Sequence, residues 1–596
     1  MKFHKTTLLY IFILGWISKV LCRDCIFNVI SFNTINVYVE VDGHNYKMVK
    51  TDPDIPLFVT TIKNLRNNDI LKYHYIADNV PEKIERHLRT YTVNTYNELF
   101  NRFYTIKHIP HFGFPTKNTW TKNPDSPIFD DSYIPTVIIT DKKNRKFFHN
   151  GNSTILPRVD IILKDSVYTF KNVKAKSRDL RYNMFSFKIK LPDNGISGLR
   201  TLFFSTTETD PTMMHQLIYS DMLQALENPS SKAIPCRVYD KHGRGKGVYI
   251  LQEDPLSKDF MIRHFLKDND LTNNKEISSN IGSILLATSK ADFYWSRNDK
   301  VSREYEEFKI IRNHSRKNET LDALNHLAKA LHDLNVGNKE KIEAFSKEWF
   351  DIPIFFKSLA VQYLTGNWNS YWMCLNNYIL YSNPLESSVE IIDSNTNYIS
   401  KKTKHYFIEN KVLYSFGSEL KLGINQYGDS FPSQTYNTLV DRIWGVYEND
   451  PKYRIAITKL LEGGLTKGMF EKYLVNIVKY IFNPVTMDNK INALHEKLKE
   501  EAEWNSKLHR VHKGEYGRIF TVKDFENGIE SESTSYNSWG LKRWIKERAK
   551  TVANEFDITW YTSVISKENS GYLENIEVEP ISHDNYMIEL AIEKNQ

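Results

Sequence analysis

Two stretches of this chain hold residue types that handle phosphate and metal. In the first, Phe185, Phe187, Ile189 and Leu191 alternate with Ser186, Lys188 and Lys190, the pattern of a half-buried strand with cations on its polar face. Asp210-Pro211 then opens a helix through about Leu226, with Asp at the cap and Pro in the first turn. A hairpin follows: Arg237-Val238-Tyr239, a turn carrying Gly243, Gly245 and Gly247, then Val248 to Leu251 ahead of Glu253. Strand, helix, hairpin is the order of a protein-kinase N-lobe, where a strand lysine pairs with a helix glutamate. In the second stretch, a helix capped by Asp351 carries Ile352, Phe355, Phe356 and Leu359 at helical spacing and ends at Gly366. The loop Asn367-Trp368-Asn369-Ser370-Tyr371 and the pair Asn376-Asn377 follow. Two short strands come next, Tyr378 to Tyr381 and Val389 to Ile392, with Asp393 just past the second. Phosphoryl transfer needs positioned phosphates, metal held by carboxylates and a group that orients the attacking hydroxyl. Mg²⁺ takes hard oxygen ligands, usually one or two carboxylates.

Those residues need a frame. Upstream, Val37, Val39 and Val41 share one face, Asp42-Gly43 makes a turn, and Tyr46 starts a returning strand, a hairpin. Leu71 to Ile76 adds a strand, so the N-terminus reads as a small β-domain. Asn97 to Phe103 forms a short amphipathic element, and Ile109 to Asp131, rich in Pro, Gly, Asn and Asp, reads as a linker or long loop. Strands resume at Thr136 to Ile139 and Val159 to Leu163. The second half is helical, with helices expected over Tyr453–Leu461, Met469–Ile481, Lys490–Ala502 and Leu541–Glu555. Some tempting features read as packing instead. The three hairpin glycines suit a turn rather than a phosphate loop, because no helix follows them. Trp368, Tyr371 and Trp372 read as core and loop packing. Lys542, Arg543, Lys546, Glu547 and Arg548 read as a solvated helix face.

Composition bounds the function class. Lys2 and Lys5 precede an apolar run from Leu8 to Leu21, the form of an export signal ending near Cys22. No other stretch is long and apolar enough to cross a bilayer, and the charged C-terminus lacks a lipid-anchor signal. The chain carries +7, three of its lysines lie within the first 22 residues, and the remainder is near balance. That excludes a dedicated nucleic-acid binder, which concentrates basic charge. Cys25, Cys236 and Cys374 allow one disulfide and leave one thiol, with no zinc-type spacing. Asn152-Ser153-Thr154, Asn313-His314-Ser315 and Asn318-Glu319-Thr320 are glycosylation acceptors that fit export.

Four segments, in order, resemble the CotH family, especially its fungal branch. Asn97-Glu98-Leu99-Phe100-Asn101-Arg102 is similar to the family's Asn-Glu-Phe-Phe-Asn-Arg signature. Thr206-Thr207-Glu208-Thr209-Asp210-Pro211 resembles its strand-to-helix junction, and Leu364 to Met373 its catalytic loop. Asp524-Phe525 with Trp539 to Ile545 resembles its C-terminal end. The resemblance implies an α+β fold: an atypical protein-kinase-like bilobal domain preceded by a small β-rich N-terminal domain. The implied division is signal peptide 1–22, β-rich domain 23–108, linker 109–135, kinase-like domain 136–560 and tail 561–596. The N-lobe covers about 136–265 and the helical C-lobe about 266–560.

The family pattern also implies roles, and here the chain departs from it. Asn369 stands where the catalytic loop has Asp; an amide keeps the shape but cannot take a proton at neutral pH. Asn376 or Asn377 matches the metal-holding Asn, and Asp393-Ser394-Asn395 stands for the metal strand's Asp-x-Asp. His215-Gln216 replaces Arg-Glu on the helix, and Met184 and Phe203 fall where lysines are frequent, leaving Lys188 and Lys190 nearby. Glu253 is expected to be retained from the nucleotide-binding region, and Asn505 stands at a frequent Asp. The expected nucleotide-binding set is therefore Lys188, Lys190, Gln216 and Glu253, and the metal set Asp393, Asn377 and Asn395. The implied cofactor is ATP with Mg²⁺ or Mn²⁺, or none if the site is degenerate. The loss of acids points to a secreted, degenerate kinase at a spore or cell surface, with spore-wall or host-surface proteins as partners. Nucleic acid and stable membrane insertion are not expected. The alternatives are an active atypical secretory-pathway kinase and a purely structural wall protein.

Overall fold

Apolar residues at every second position dictate most of the first 255 residues. In the computed structural model, which describes residues 22–66, 70–102, 108–115, 125–141, 147–266, 281–296, 305–312, 317–393, 398–420, 431–441, 454–530 and 539–560, this alternation yields two β-assemblies. Val37, Val39 and Val41 point inward, and their strand returns as His44–Lys50 through Asp42 and Gly43, both left-handed as a two-residue hairpin demands. Eight strands between Cys22 and Leu99 form one sheet around Phe27, Val39 and Tyr75. The strands from Thr136–Thr140 to Gly245–Glu253 close a seven-stranded barrel. Phe187, Ile189, Leu202 and Phe204 fill its interior, and the rings of Phe187 and Phe204 stack at 4.5 Å. The glycine-bearing turn at 240–245 is a hairpin, as its sequence indicates.

The remaining chain packs helices on a four-stranded sheet. Asp351 caps the central helix Ile352–Thr365 by accepting from the Ile354 N–H at 3.1 Å, and Gly366 ends it in the left-handed region at φ 60°. Every residue of that helix is buried. The expected C-terminal helices are present as Ile455–Leu461, Gly464–Tyr480, Pro484–Ser506 and Leu541–Phe556.

Several expectations need correction. The helix after Asp210-Pro211 begins only at His215, because Met213 is left-handed at φ 58° and breaks the first turn. Asp210 instead ties the turn ahead of the helix, accepting from the N–H groups of Thr212 and His215 at 2.8 Å each. The two short strands after Asn377 are one irregular strand, Tyr378–Asp393, paired with an unforeseen strand, Tyr398–Glu409. The described parts of the 109–135 linker are packed down, with Ile109, Phe112, Ile128 and Tyr133 buried. Arg548 is not on a solvated face: it is fully buried, with its guanidinium 4.2 Å from the Tyr363 ring centroid. Cys22, Cys25 and Cys236 are thiols, and burial pushes the Cys25 thiol up to about 11. Asn152 is exposed. The signal segment through residue 21, Asn313, the Asn318 side chain, Asn395 and the 561–596 tail lie outside the described residues. Among the described residues, no helix is long and apolar enough to cross a membrane.

One buried cluster joins the three parts. Glu501, on the helix Pro484–Ser506, has no solvent exposure. It accepts from Arg102 Nε of the N-terminal region at 2.5 Å and from Arg237 Nε of the barrel at 2.5 Å. Burial alone would push its carboxyl up, but the two guanidinium groups overcome that and hold it below the usual range. Ile30, Ile55, Leu57, Ile138 and Ile162 form an apolar seam between sheet and barrel.

Candidate functional site

The loop at 367–371 is placed by its own residues and by the core below it. The Ser370 hydroxyl donates to the Asn367 carbonyl at 2.5 Å, and the Tyr371 hydroxyl donates to the Asp292 carboxyl at 2.7 Å. Arg454, itself buried, satisfies the Trp372 carbonyl at 3.0 Å. Leu375 and Asn377 then adopt left-handed conformations, at φ 48° and 55°. Such strain outside glycine clusters at functional loops. This geometry brings three amides together. Asn376 Nδ2 donates to Asn369 Oδ1 at 3.0 Å, and Asn377 Nδ2 donates to the Asn369 carbonyl at 3.1 Å. The Asn369 side chain is therefore committed to a neighbouring amide.

A carboxyl that the sequence reading missed lies beside this loop. Glu409 ends the strand Tyr398–Glu409, opposite Tyr378, and Gln362 Nε2 donates to its Oε1 at 2.6 Å. It is 5% exposed, and burial pushes its carboxyl up to about 8, against hydrogen bonds from Gln362 and Tyr219. It is thus neutral at pH 7. Its only sequence signal was an acid at the end of an apolar strand that was itself not foreseen.

The two described members of the expected metal set, Asn377 and Asp393, lie apart. The hairpin register puts Tyr378 against Glu409 at one end and Asp393 against Tyr398 at the other. Asp393 therefore stands about 35 Å along the strands from Asn377, at the usual rise per residue. The physical reason is the pairing with Tyr398–Glu409, which carries the Asp393 end away from the loop.

The expected nucleotide-binding set is also divided. Lys188 is on the outer face of the barrel and pairs with Asp254 at 3.2 Å, while Lys190 is exposed. Gln216 accepts from Gln252 Nε2 at 2.7 Å and donates to the Thr206 carbonyl. Glu253 points elsewhere, into a buried cluster with Arg263 at 2.9 Å and His264 at 3.2 Å. These hold its carboxyl low against the opposing effect of burial. Asn505 has a structural task, accepting from the Val248 N–H at 3.0 Å and so tying a helix end to the barrel.

The barrel turn at 179–184 reaches across to the loop. The Tyr182 and Tyr414 hydroxyls are 2.8 Å apart, and Lys411 pairs with Asp179 at 3.2 Å. Trp368 stacks on Tyr414 at 4.8 Å and donates its indole N–H to the Ser418 carbonyl. An aromatic chain thus runs from the loop to the turn. Around the loop, the described residues offer amides, the Lys411–Asp179 ion pair, an Asp292 carboxyl already accepting from the Tyr371 hydroxyl and the Ile455 N–H, and the Glu409 carboxyl held protonated. That donor set does not fit a divalent cation, which takes ionised oxygen ligands.

Against known proteins, the family model described as CotH kinase protein matches residues 175–552, more than half of the chain. Invasin CotH3 of Rhizopus delemar is 26% identical, over 89% of this chain and 84% of the relative. Invasin CotH2 of the same fungus is also 26% identical, over 89% of this chain and 84% of the relative. Spore coat protein homolog 1, also from Rhizopus delemar, is 23% identical, over 87% of this chain and 79% of the relative.

Proposed function

Since the chain belongs to the CotH family, we propose that it is an exported spore- or cell-surface protein built on a bilobal kinase-like scaffold, which acts by binding rather than by phosphotransfer. One observation carries this reading: Asn369, at the expected position of the catalytic Asp, is an amide bonded to the Asn376 amide. A general base typically supplies a hundred- to ten-thousand-fold, and an amide supplies none of it. Three further features support the reading. Lys188 and Gln216 engage other partners, Asp393 lies at the far end of its hairpin, and Tyr182 and Tyr414 bridge the cleft where a kinase covers its phosphates. In this reading the barrel is the upper lobe, the helical half is the lower lobe, and the partners are proteins of the spore wall or of a host surface. The printed names of the relatives, invasins and a spore coat homolog, support that placement.

A second reading, an active atypical kinase using ATP with Mg²⁺ or Mn²⁺, is favoured by Glu409, a carboxyl with a pKa near neutrality beside the loop. Such shifts collect at functional sites. Against it, a carboxyl neutral at pH 7 and almost fully enclosed is a poor metal ligand.

Phosphotransfer from labelled ATP by the purified protein, beside Asn369→Asp and Glu409→Gln variants, separates the two. The binding reading expects no labelling by the natural protein. Labelling that disappears in Glu409→Gln establishes the active enzyme instead. Labelling by Asn369→Asp alone identifies a scaffold that lost its acid.

A further inference from the structure

We propose that the cleft between the hairpin turn at Asp240–Lys246 and the end of the helix Pro484–Ser506 binds an anionic sugar carrying sulfate or phosphate groups. The cleft has a volume of about 580 Å³, in the range that holds small ligands. Lys241, Arg244, Lys246 and Lys507 line it, against the carboxyls of Asp141 and Asp240.

Asp240 is already used to build the turn. It pairs with Lys246 at 3.0 Å and Arg244 at 2.8 Å, and accepts from the N–H groups of His242 and Arg244. Lys241 and Lys507 are exposed on the rim, Lys507 in a surface ion pair with Glu503 at 2.6 Å. The carbonyls at the adjoining helix end are also occupied, by the N–H groups of Lys507 and Leu508 and by Arg510. Asp240 is thus consumed by two of the cations, and four cationic side chains against two carboxyls leave the lining with surplus positive charge.

The floor is different in character. Buried Phe148 and half-buried Leu508 supply it, Val511 being an exposed lining residue, and the Lys246 ammonium lies 5.7 Å from the Phe148 ring centroid. An apolar floor under a cationic rim matches a sugar ring, whose C–H face packs on hydrocarbon while charged substituents reach outward. Asp141 supplies a second, independent indication. Its Oδ1 is buried with no hydrogen-bond partner among the described residues. A buried unpartnered polar atom is costly, and a ligand hydroxyl would satisfy it.

Acidification should strengthen the site. Burial pushes the Asp141 carboxyl up to about 6, with Lys246 opposing and Asp240 reinforcing. As pH falls through 6 this acid loses its negative charge; His149, His242 and His509 also line the cleft. Those side chains are not a metal centre, since no metal-holding group of His, Cys, Asp or Glu occurs among the described residues.

Calorimetry on the full-length protein at pH 7.5 and 5.5 tests this. The probes are a sulfated disaccharide, glucose 6-phosphate and the uncharged disaccharide. Binding of at least one charged probe and not of the neutral one is expected, tighter at the lower pH. Lys241→Glu with Lys507→Glu should weaken binding about tenfold or more, equivalent to about 1.4 kcal/mol. A charge-matched control on the exposed lysines of the last helix, Lys546→Glu with Lys550→Glu, should leave binding within about threefold. Which charged probe binds tighter separates a sulfated source from a phosphorylated one. Absence of binding by both charged probes, or equal loss in the two double variants, overturns the proposal.

Discussion

At the scale of single residues, Glu409 offers a measurement that needs no substrate. Its folded-state pKa of about 8 stands above the ordinary glutamate value of 4.5, so between those values the folded protein holds a proton that the unfolded chain has released. Stability therefore falls as pH rises through that window, and the contribution is fully present only below it. Glu409→Gln, which fixes the neutral form, should flatten this slope and stabilise the protein at pH 8.5 by on the order of 1–3 kcal/mol. Denaturant unfolding at pH 5 and pH 8.5 checks it; an unchanged slope would mean that the carboxyl is ionised in the fold. Asn369 was legible as a departure because an amide at a carboxylate position shows in the sequence itself. Glu409 was not, because nothing local distinguishes it from any other strand-end acid. Its burial in the fold sets its chemistry, against the hydrogen bonds from Gln362 and Tyr219.

At the scale of elements, regular segments were legible and pairings were not. The helix Ile352–Thr365 has both of its signals, Asp351 and Gly366, within the sequence. Gly366 also has a tertiary reason to be glycine: an added methyl would collide with the ring of Trp544, whose indole N–H donates to the Leu364 carbonyl at 2.9 Å. Gly366→Ala should cost about 2–4 kcal/mol, combining left-handed strain with overpacking, read as a lowered unfolding midpoint with secondary structure retained. A cost under about 0.5 kcal/mol would deny that contact. The long hairpin is the opposite case. Tyr398–Glu409 carries a Ser-Lys-Lys-Thr-Lys run from Ser400 that hides its alternation, and without that partner the family pattern grouped Asp393 with Asn377. Arg548 was misread for a related reason. A charged residue on a helix reads as solvated unless its carbonyl partners, here Phe431 and Gln434, are known.

At the scale of the whole molecule, the Asn97–Arg102 signature finds its physical meaning. It does not reach the loop at 367–371. Asn97 Nδ2 donates to the Leu163 carbonyl of the barrel at 2.8 Å, and Arg102 pairs with Glu501 of the helical half. The signature is a fastening between parts. Removing one partner of a buried ion pair typically costs about 3–5 kcal/mol, because the other charges stay buried and unbalanced. Glu501→Ala should show that loss and should loosen the N-terminal sheet together with the barrel, read as faster hydrogen exchange in both. Exchange confined to the helix would show that the three parts are not coupled. The depressed pKa of Glu501 gives the opposite pH dependence to Glu409: its contribution is present above the unfolded carboxylate range and lost on acidification.

The same cluster sets a clock on the protein's birth. Glu501 follows Arg102 by 399 residues and Arg237 by 264. At about 5–20 residues per second, roughly 20–80 s separate the emergence of Arg102 from that of its counter-ion. Through that interval the sheet and the barrel exist as nascent pieces with two guanidinium groups bound for the interior and no carboxylate to receive them. The final assembly is decided late, by one side chain that emerges after both of its partners.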